Sequence, residues 1–156
     1  MASKIEVDEI FNAGGDNDSG IDLATNDQIL LKVANATRLT MNSTGQTTIV
    51  GEGGSTTTNI QQGLAKAWVD ATNAAVLTDS FNLASGTDNG TGDYTYAITN
   101  DMASVNYSAV ANAEELAIPC KKGQTAGTYN IRLFGRADSI TNEDKENFFA
   151  IFGDLA

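Results

Sequence analysis

Short runs in which apolar and polar residues alternate dominate the first 50 residues of the chain. These runs are KIEVDEIF (4–11), QILLKV (28–33), TRLTMN (37–42) and TTIVG (47–51). A period of two over four to six residues is typical of a β-strand and does not fit the helical period of 3.6. The breaks ANA and STGQ are short and compatible with turns. The sequence therefore predicts short extended segments joined by turns.

A second set of strand-like runs follows a segment that has no periodicity. EGGSTTTNIQQ (52–62) is rich in Gly, Ser and Thr, which indicates a linker. Six further runs separated by turn signals favour an antiparallel β-sandwich. They span 63–69, 76–84, 93–99, 105–111, 127–137 and 147–154. We expect an all-β protein with an N-terminal β segment at 1–51, a linker at 52–62 and a sandwich at 63–156.

The N-terminal strands are too short and sparse to build a core from one copy of the chain. A ribbon of two or three strands is only marginally stable in water. Another copy of the same chain is the simplest partner for its apolar side chains. We therefore expect a homo-oligomer in which these side chains make contacts between copies or anchor the chain on a larger surface. The candidates are Ile5, Val7, Ile10, Phe11, Ile29, Leu31, Val33, Leu39 and Met41.

The composition excludes several classes of function. The chain has no histidine and a single cysteine, Cys120, so Ser–His–Asp and Cys–His catalytic sites and His-rich zinc sites cannot form. A lone cysteine is typically a small buried hydrophobe, and we expect Cys120 to be one. The formal net charge of −11 repels nucleic acid and anionic membranes. We expect no enzyme activity, no cofactor, no bound metal, and neither nucleic acid nor membrane as a partner.

The glycine-rich stretch SGTDNGTGDYTYAI (85–98) is the most distinctive local motif. It lacks the Gly-Lys-Ser/Thr of a phosphate-binding loop, and its glycines lead into a strand pattern instead of a helix. Asp88-Asn89-Gly90 is a strong reverse-turn sequence because Asn and Gly tolerate positive φ. The stretch therefore predicts a strand-to-strand connection, with a ligand loop as the less favoured alternative.

Two further features leave alternatives open. In DNDSGID, the carboxylates of Asp16, Asp18 and Asp22 alternate as they do in calcium loops. Ile21 stands where such a loop needs glycine, so a solvated turn is the preferred interpretation. Aromatic side chains on predicted strands could line a sugar-binding surface, but core or interface positions are the more usual outcome. They are Trp68, Tyr94, Tyr96, Tyr107 and Tyr129.

The residues from 63 to 154 contain the pattern GLAKAWV…DSFN…TDNGTGDYT…MA…NY and end in FFAIFGD. This pattern resembles a module found at the C-terminus of bacteriophage tail-fibre-like and virion-surface proteins. TNDQILLKVANATRLTMNSTGQTTIVG is similar to phage fibre shafts, although Asn42 replaces the usual Asp before Ser-x-Gly. The resemblance implies a homotrimer with a short intertwined N-terminal β stalk and a β-rich head, and it brings no catalytic residues.

A phage virion structural protein on the exterior of the particle is the function that these observations favour. We expect a trimeric capsid decoration (cement) protein or a short head fibre, with capsid or tail proteins as partners. A first strand that begins by Lys4 leaves no room for the adaptor domain of a tail fibre. The alternative is a receptor-binding tail fibre that recognises host surface glycans. A depolymerase is disfavoured because no nucleophile constellation is present.

Overall fold

The computed structural model describes residues 6–12, 18–135 and 141–156. It forms two compact units, residues 1–61 and 62–156. In the described residues the structure is strands and turns with one helix of four residues, α1 (Ile60–Gly63). The prediction of an all-β protein with antiparallel sheets is confirmed. No helix in the described parts of the chain is long and apolar enough to cross a membrane.

The N-terminal unit is one six-stranded antiparallel sheet whose strands lie in chain order. The strands are β1 (Glu9–Phe11), β2 (Gly20–Asp22), β3 (Ile29–Val33), β4 (Ala36–Met41), β5 (Thr47–Val50) and β6 (Thr57–Asn59). A two-residue turn joins β3 to β4, with φ of 52° at Ala34 and 57° at Asn35. Two consecutive positive φ values are typical of the type I′ turn, whose twist matches that of the flanking strands.

Three of the predicted N-terminal strands are confirmed, and the sheet extends further than expected. The runs at 28–33, 37–42 and 47–51 correspond to β3, β4 and β5. The expectation of an irregular linker over 52–62 is wrong for its second half, because β6 pairs with β5 over three residues and α1 follows. Strand β2 was also missed, since it offers one apolar residue after a turn-rich stretch.

The C-terminal unit contains two four-stranded antiparallel sheets. The strands are β7 (Ala65–Ala71), β8 (Leu77–Phe81), β9 (Leu83–Asp88), β10 (Asp93–Ile98), β11 (Ser108–Ala113), β12 (Ile118–Thr125), β13 (Thr128–Phe134) and β14 (Asn147–Phe152). The strand orders are β12-β13-β10-β9 in one sheet and β11-β14-β7-β8 in the other. The buried residues of the two sheets form one hydrophobic cluster, consistent with the predicted β-sandwich.

The run at 76–84, expected to be one strand, is divided between the two sheets at Asn82. Asn82 has a φ of 58°, a conformation that Asn tolerates better than most residues. Its side-chain amide donates to the Lys66 and Asn100 carbonyl oxygens at 2.9 and 3.1 Å. Its side-chain oxygen accepts from the Asn100 backbone N–H at 2.8 Å. These bonds hold the chain where β8 ends and β9 begins.

Strand β12 was not expected, because it contains Pro119 and lacks apolar alternation. It lies at the edge of its sheet and pairs only with β13, which is where a sheet tolerates proline. Cys120 lies on this strand opposite Arg132 and is exposed. The expectation that Cys120 is a buried hydrophobe is therefore wrong, because it faces outward from an edge strand.

The glycine-rich stretch forms the predicted strand-to-strand connection between β9 and β10. The backbone N–H of Asn89 donates to the Asp93 carbonyl at 2.8 Å, and Gly90 and Gly92 have φ values of 121° and 63°. The Asp88 carboxylate accepts from the Gly90 N–H at 2.8 Å. The motif is used for chain reversal, as the turn interpretation required.

Candidate functional site

An apolar row crosses five strands of the N-terminal sheet on one face. Cross-strand pairing places its members directly opposite one another in the order Ile10–Ile21–Leu31–Leu39–Ile49. Directly paired residues of antiparallel strands share a face of the sheet. We call these five residues the N-terminal apolar row.

Further apolar side chains extend this row along the strands. Ile29 pairs with Met41 two residues from the row and therefore on the same face, and Val33 lies two residues from Leu31 on β3. Their exposed fractions are 45% for Ile29, 43% for Met41 and 53% for Val33. Leu31 is 39% exposed in the single chain. Exposed apolar area of this kind is costly in water, so the face is suited to contact with another surface.

The opposite face of the sheet carries ion pairs and threonines together with Leu30, Phe11 and Val50. Lys32 forms an ion pair with Asp22 and lies 4.0 Å from a Glu9 carboxylate oxygen. The hydrogen bond from Lys32 and then that from the Ala24 backbone N–H hold the pKa of Asp22 below its usual range. The same bond raises the pKa of Lys32. The two faces thus differ in charge, because the ion pairs lie on one face and the apolar row lies on the other.

The N-terminal unit does not bury the row in a core of its own. Among the described residues, each hydrophobic side chain classed as buried lies between Ala67 and Ile151 in the C-terminal unit. Asp22 is the one buried residue of the N-terminal sheet in that part of the chain. A six-stranded sheet with one apolar face normally packs that face against another layer. The described residues of the N-terminal unit supply no such layer over the row.

The structure brings together most of the candidate contact residues and separates others. Ile10, Ile29, Leu31, Val33, Leu39 and Met41 share the apolar face. Phe11 pairs with Gly20 and therefore lies on the opposite face from Ile10. Val7 precedes β1 and is exposed, and Ile5 lies outside the described residues. Sequence analysis missed Ile21 and Ile49, which the cross-strand register places in the row.

The possible calcium loop has another use for its last carboxylate. Asp22 accepts from the Ala24 backbone N–H at 2.9 Å and is paired with Lys32. The Asp18 carboxylate accepts from the Ser19 hydroxyl at 2.9 Å, and Asp16 lies outside the described residues. No group of His, Cys, Asp and Glu with the arrangement of a metal site occurs in the described parts of the chain.

The four tyrosines belong to the core of the sandwich and not to an open aromatic surface. Tyr94, Tyr96, Tyr107 and Tyr129 are buried. The Tyr96 hydroxyl donates to the buried Asn147 side-chain oxygen at 2.8 Å, and the Tyr107 hydroxyl donates to the Thr128 carbonyl at 2.7 Å. Burial raises the pKa of Tyr96 and of Tyr107 to about 12. Trp68 differs, since it faces outward and is 36% exposed.

A cluster of charged side chains lies on the outer face of the sheet β12-β13-β10-β9 in the C-terminal unit. The Asp93 carboxylate accepts from Lys122 at 2.5 Å and from Arg132 at 2.7 Å. Burial tends to raise the pKa of Asp93, but the bonds from Lys122 and Arg132 outweigh it and the net shift is downward. One oxygen of Asp93 and the Nε of Arg132 have no protein partner. The cluster joins β10, β12 and β13 and has the character of a structural ion pair.

Asp93→Asn is expected to remove an acid-sensitive part of the stability. A carboxylate whose pKa is lowered by folding stabilises the folded state above its unfolded pKa of about 3.9, and this stability is lost as the pH falls through the folded pKa. At pH 7 the variant should be less stable by about 1–2 kcal/mol, since its partners are partly solvated. Denaturant unfolding at pH 7 and pH 2.5 should show the two proteins converging at low pH.

Glu114→Gln is the matched control for Asp93→Asn because Glu114 is exposed. It should stay within about 0.5 kcal/mol of the parent at both pH values. A difference between Asp93→Asn and the parent that is as large at pH 2.5 as at pH 7 would contradict the role given to the Asp93 carboxylate.

Comparisons with known proteins add no family to these observations. No protein-family model, curated protein or solved structure matches this chain.

Proposed function

We propose that this chain is a structural protein of a bacteriophage virion that assembles as a homotrimer and decorates the outside of the capsid. The observation that carries the proposal is the N-terminal apolar row, which crosses five strands with no second layer among the described residues of its own unit. The similarity to phage virion-surface proteins favours three copies. Three such sheets would enclose their apolar faces around a common axis, which is a closed arrangement.

The division of the chain supports this role. The C-terminal unit contains a core of its own, whereas the N-terminal unit exposes its apolar face. The N-terminal sheet is therefore the part that gains most from assembly. The formal charge of −11 keeps crowded copies soluble and apart on a particle surface.

An alternative function is a receptor-binding tail fibre that recognises host glycans. One observation favours it, namely that Trp68 and Phe81 lie directly opposite each other on an outer sheet face and remain partly exposed. Aromatic rings can bind the apolar faces of sugars. The proposal of capsid decoration is preferred because the N-terminal apolar row crosses five strands of its sheet.

Copy number and location on the particle test the proposal. In purified phage particles that contain the chain, quantitative gel densitometry or a particle reconstruction should give tens to hundreds of copies spread over the capsid. The copies should be arranged as trimers on the shell. A handful of copies confined to the tail would overturn capsid decoration and favour the receptor-binding fibre.

A further inference from the structure

A second apolar row lies on the outer face of the sheet β11-β14-β7-β8. Cross-strand pairing sets its members opposite one another in the order Val110–Ala150–Trp68–Phe81. Phe148 and Phe152 flank Ala150 on β14 and share its face. These side chains alternate along the strands with buried residues such as Ala67, Val69 and Ile151. We call these six residues the C-terminal outer face.

The outer face of the other sheet in the same unit shows what a solvated face of this protein looks like. Thr87, Thr95 and Asn130 are paired across it, and Asp93 pairs with Arg132 on the same side. Antiparallel sheets that face water normally carry polar side chains there. The C-terminal outer face departs from this rule in the middle of all four of its strands.

We propose that the C-terminal outer face is a second self-association surface, which contacts the same face of the other copies in the oligomer. This inference rests on the proposed homotrimer. The row Val110–Ala150–Trp68–Phe81 carries no charged side chain. Two acids lie beside it on the same face, because Asp70 pairs with Phe148 and with Asp79. Since each copy has a net charge of −11, copies repel through most of their surface. The uncharged row is where they can meet.

The exposed area of the C-terminal outer face is too small for a stable interface by itself. It fits a contact between copies that are already joined through their N-terminal sheets. Exposed fractions are 36% for Trp68, 52% for Phe81 and 68% for Val110. Because an aromatic side chain carries roughly 150–250 Å² of surface, these leave a patch of roughly 300–400 Å². A stable interface buries about 800 Å² on each partner. Copies already joined through their N-terminal sheets would meet at an effective concentration of about a millimolar, and a small patch then suffices.

Trp68 offers a direct readout because it is the only tryptophan in the chain. In the associated full-length protein, the acrylamide quenching constant of Trp68 should be at least about three-fold lower than in a dissociated form. Dilution of the full chain below its dissociation constant supplies that form without any substitution. The exposed thiol of Cys120, on the other sheet, should react with a maleimide equally fast in both forms.

Val110→Lys tests the surface by substitution. Val110 is 68% exposed in the single chain, so lysine fits there without disturbing the core. The variant should raise Trp68 quenching to the dissociated level and weaken association of the full chain by about 10- to 100-fold. Thr87→Lys places the same side chain on an exposed position of the opposite, polar face and should change neither quantity.

The possible outcomes separate this inference from the proposed function. A trimer whose Trp68 is as accessible as in the diluted protein would overturn the inference and leave the oligomer intact. A chain that is monomeric at all concentrations would overturn both. Protection of Trp68 by millimolar monosaccharides, independent of protein concentration, would replace the self-contact with a glycan site. Protection that depends on protein concentration and is lost in Val110→Lys supports the inference.

Discussion

Leu31→Lys is expected to dissociate the proposed homotrimer into monomers. Leu31 is the central member of the N-terminal apolar row and pairs with Ile21 on one side and Leu39 on the other. Burial of a leucine side chain contributes about 1.5–3 kcal/mol, and each copy in the oligomer loses that contribution. A buried unpaired charge adds a further cost. The apparent association constant should fall at least about a thousand-fold.

The same substitution should leave the single chain folded. Leu31 is 39% exposed there, so the lysine ammonium can reach water. Sedimentation velocity at micromolar concentration measures the change. Thr40→Lys is the matched control, since Thr40 pairs with Leu30 and Thr48 on the opposite face of the sheet, and this variant should associate as the parent does. Equal dissociation of both variants would contradict the assignment of the apolar face as the contact.

Phe149→Ala is expected to give the largest loss of stability in the C-terminal unit. Phe149 is 4% exposed, and its ring centroid lies 5.0 Å from that of Tyr96 and 4.9 Å from that of Tyr129. It joins both sheets of the sandwich, because it lies on β14 and the tyrosines lie on β10 and β13. Removal of such a ring costs about 3–5 kcal/mol, which is a large share of the stability of a domain of this size.

Denaturant unfolding of residues 62–156, which contain their own core, measures this loss. Phe148→Ala is the control: the adjacent residue carries the same side chain on the outer face and is only half-buried. Its cost in this fragment should be less than half that of Phe149→Ala. Equal costs for the two variants would mean that the aromatic cluster between the sheets does not carry the core.

The sequence predicts the strands of this protein best where alternation coincides with one covered face. Tyr94 and Tyr96 alternate with Thr95 on β10, and the structure buries the tyrosines. Asn89 and Gly90 mark the adjacent turn because few other residues accept the required backbone angles. In both cases the residues of the segment itself are enough to predict its structure.

The prediction fails where pairing across the sheet overrides local pattern. Strand β12 has little alternation and forms because β13 offers it a hydrogen-bonding edge. The exposure of Cys120 follows from that pairing and has no signal in the residue itself. Asn82 interrupts a continuous strand pattern through hydrogen bonds to Lys66 and Asn100, which are distant in sequence.

The two apolar rows could likewise be predicted only in part from the sequence. Leu31 and Leu39 could be identified from alternation within their own runs. Ile21 and Ile49 join them only through the register of β2 and β5. Trp68 and Phe81 meet in the same way on the C-terminal outer face. Periodicity gives the face of each strand, but the alignment of neighbouring strands is set by turns and bulges.

Native mass spectrometry of the full-length chain at micromolar concentration tests the central claim most directly, because that claim is self-association through the N-terminal apolar row. The parent protein should give a dominant species of three times the chain mass of 16.3 kDa, and Leu31→Lys should give the mass of one chain. A parent protein that remains a stable monomer under these conditions would contradict the account.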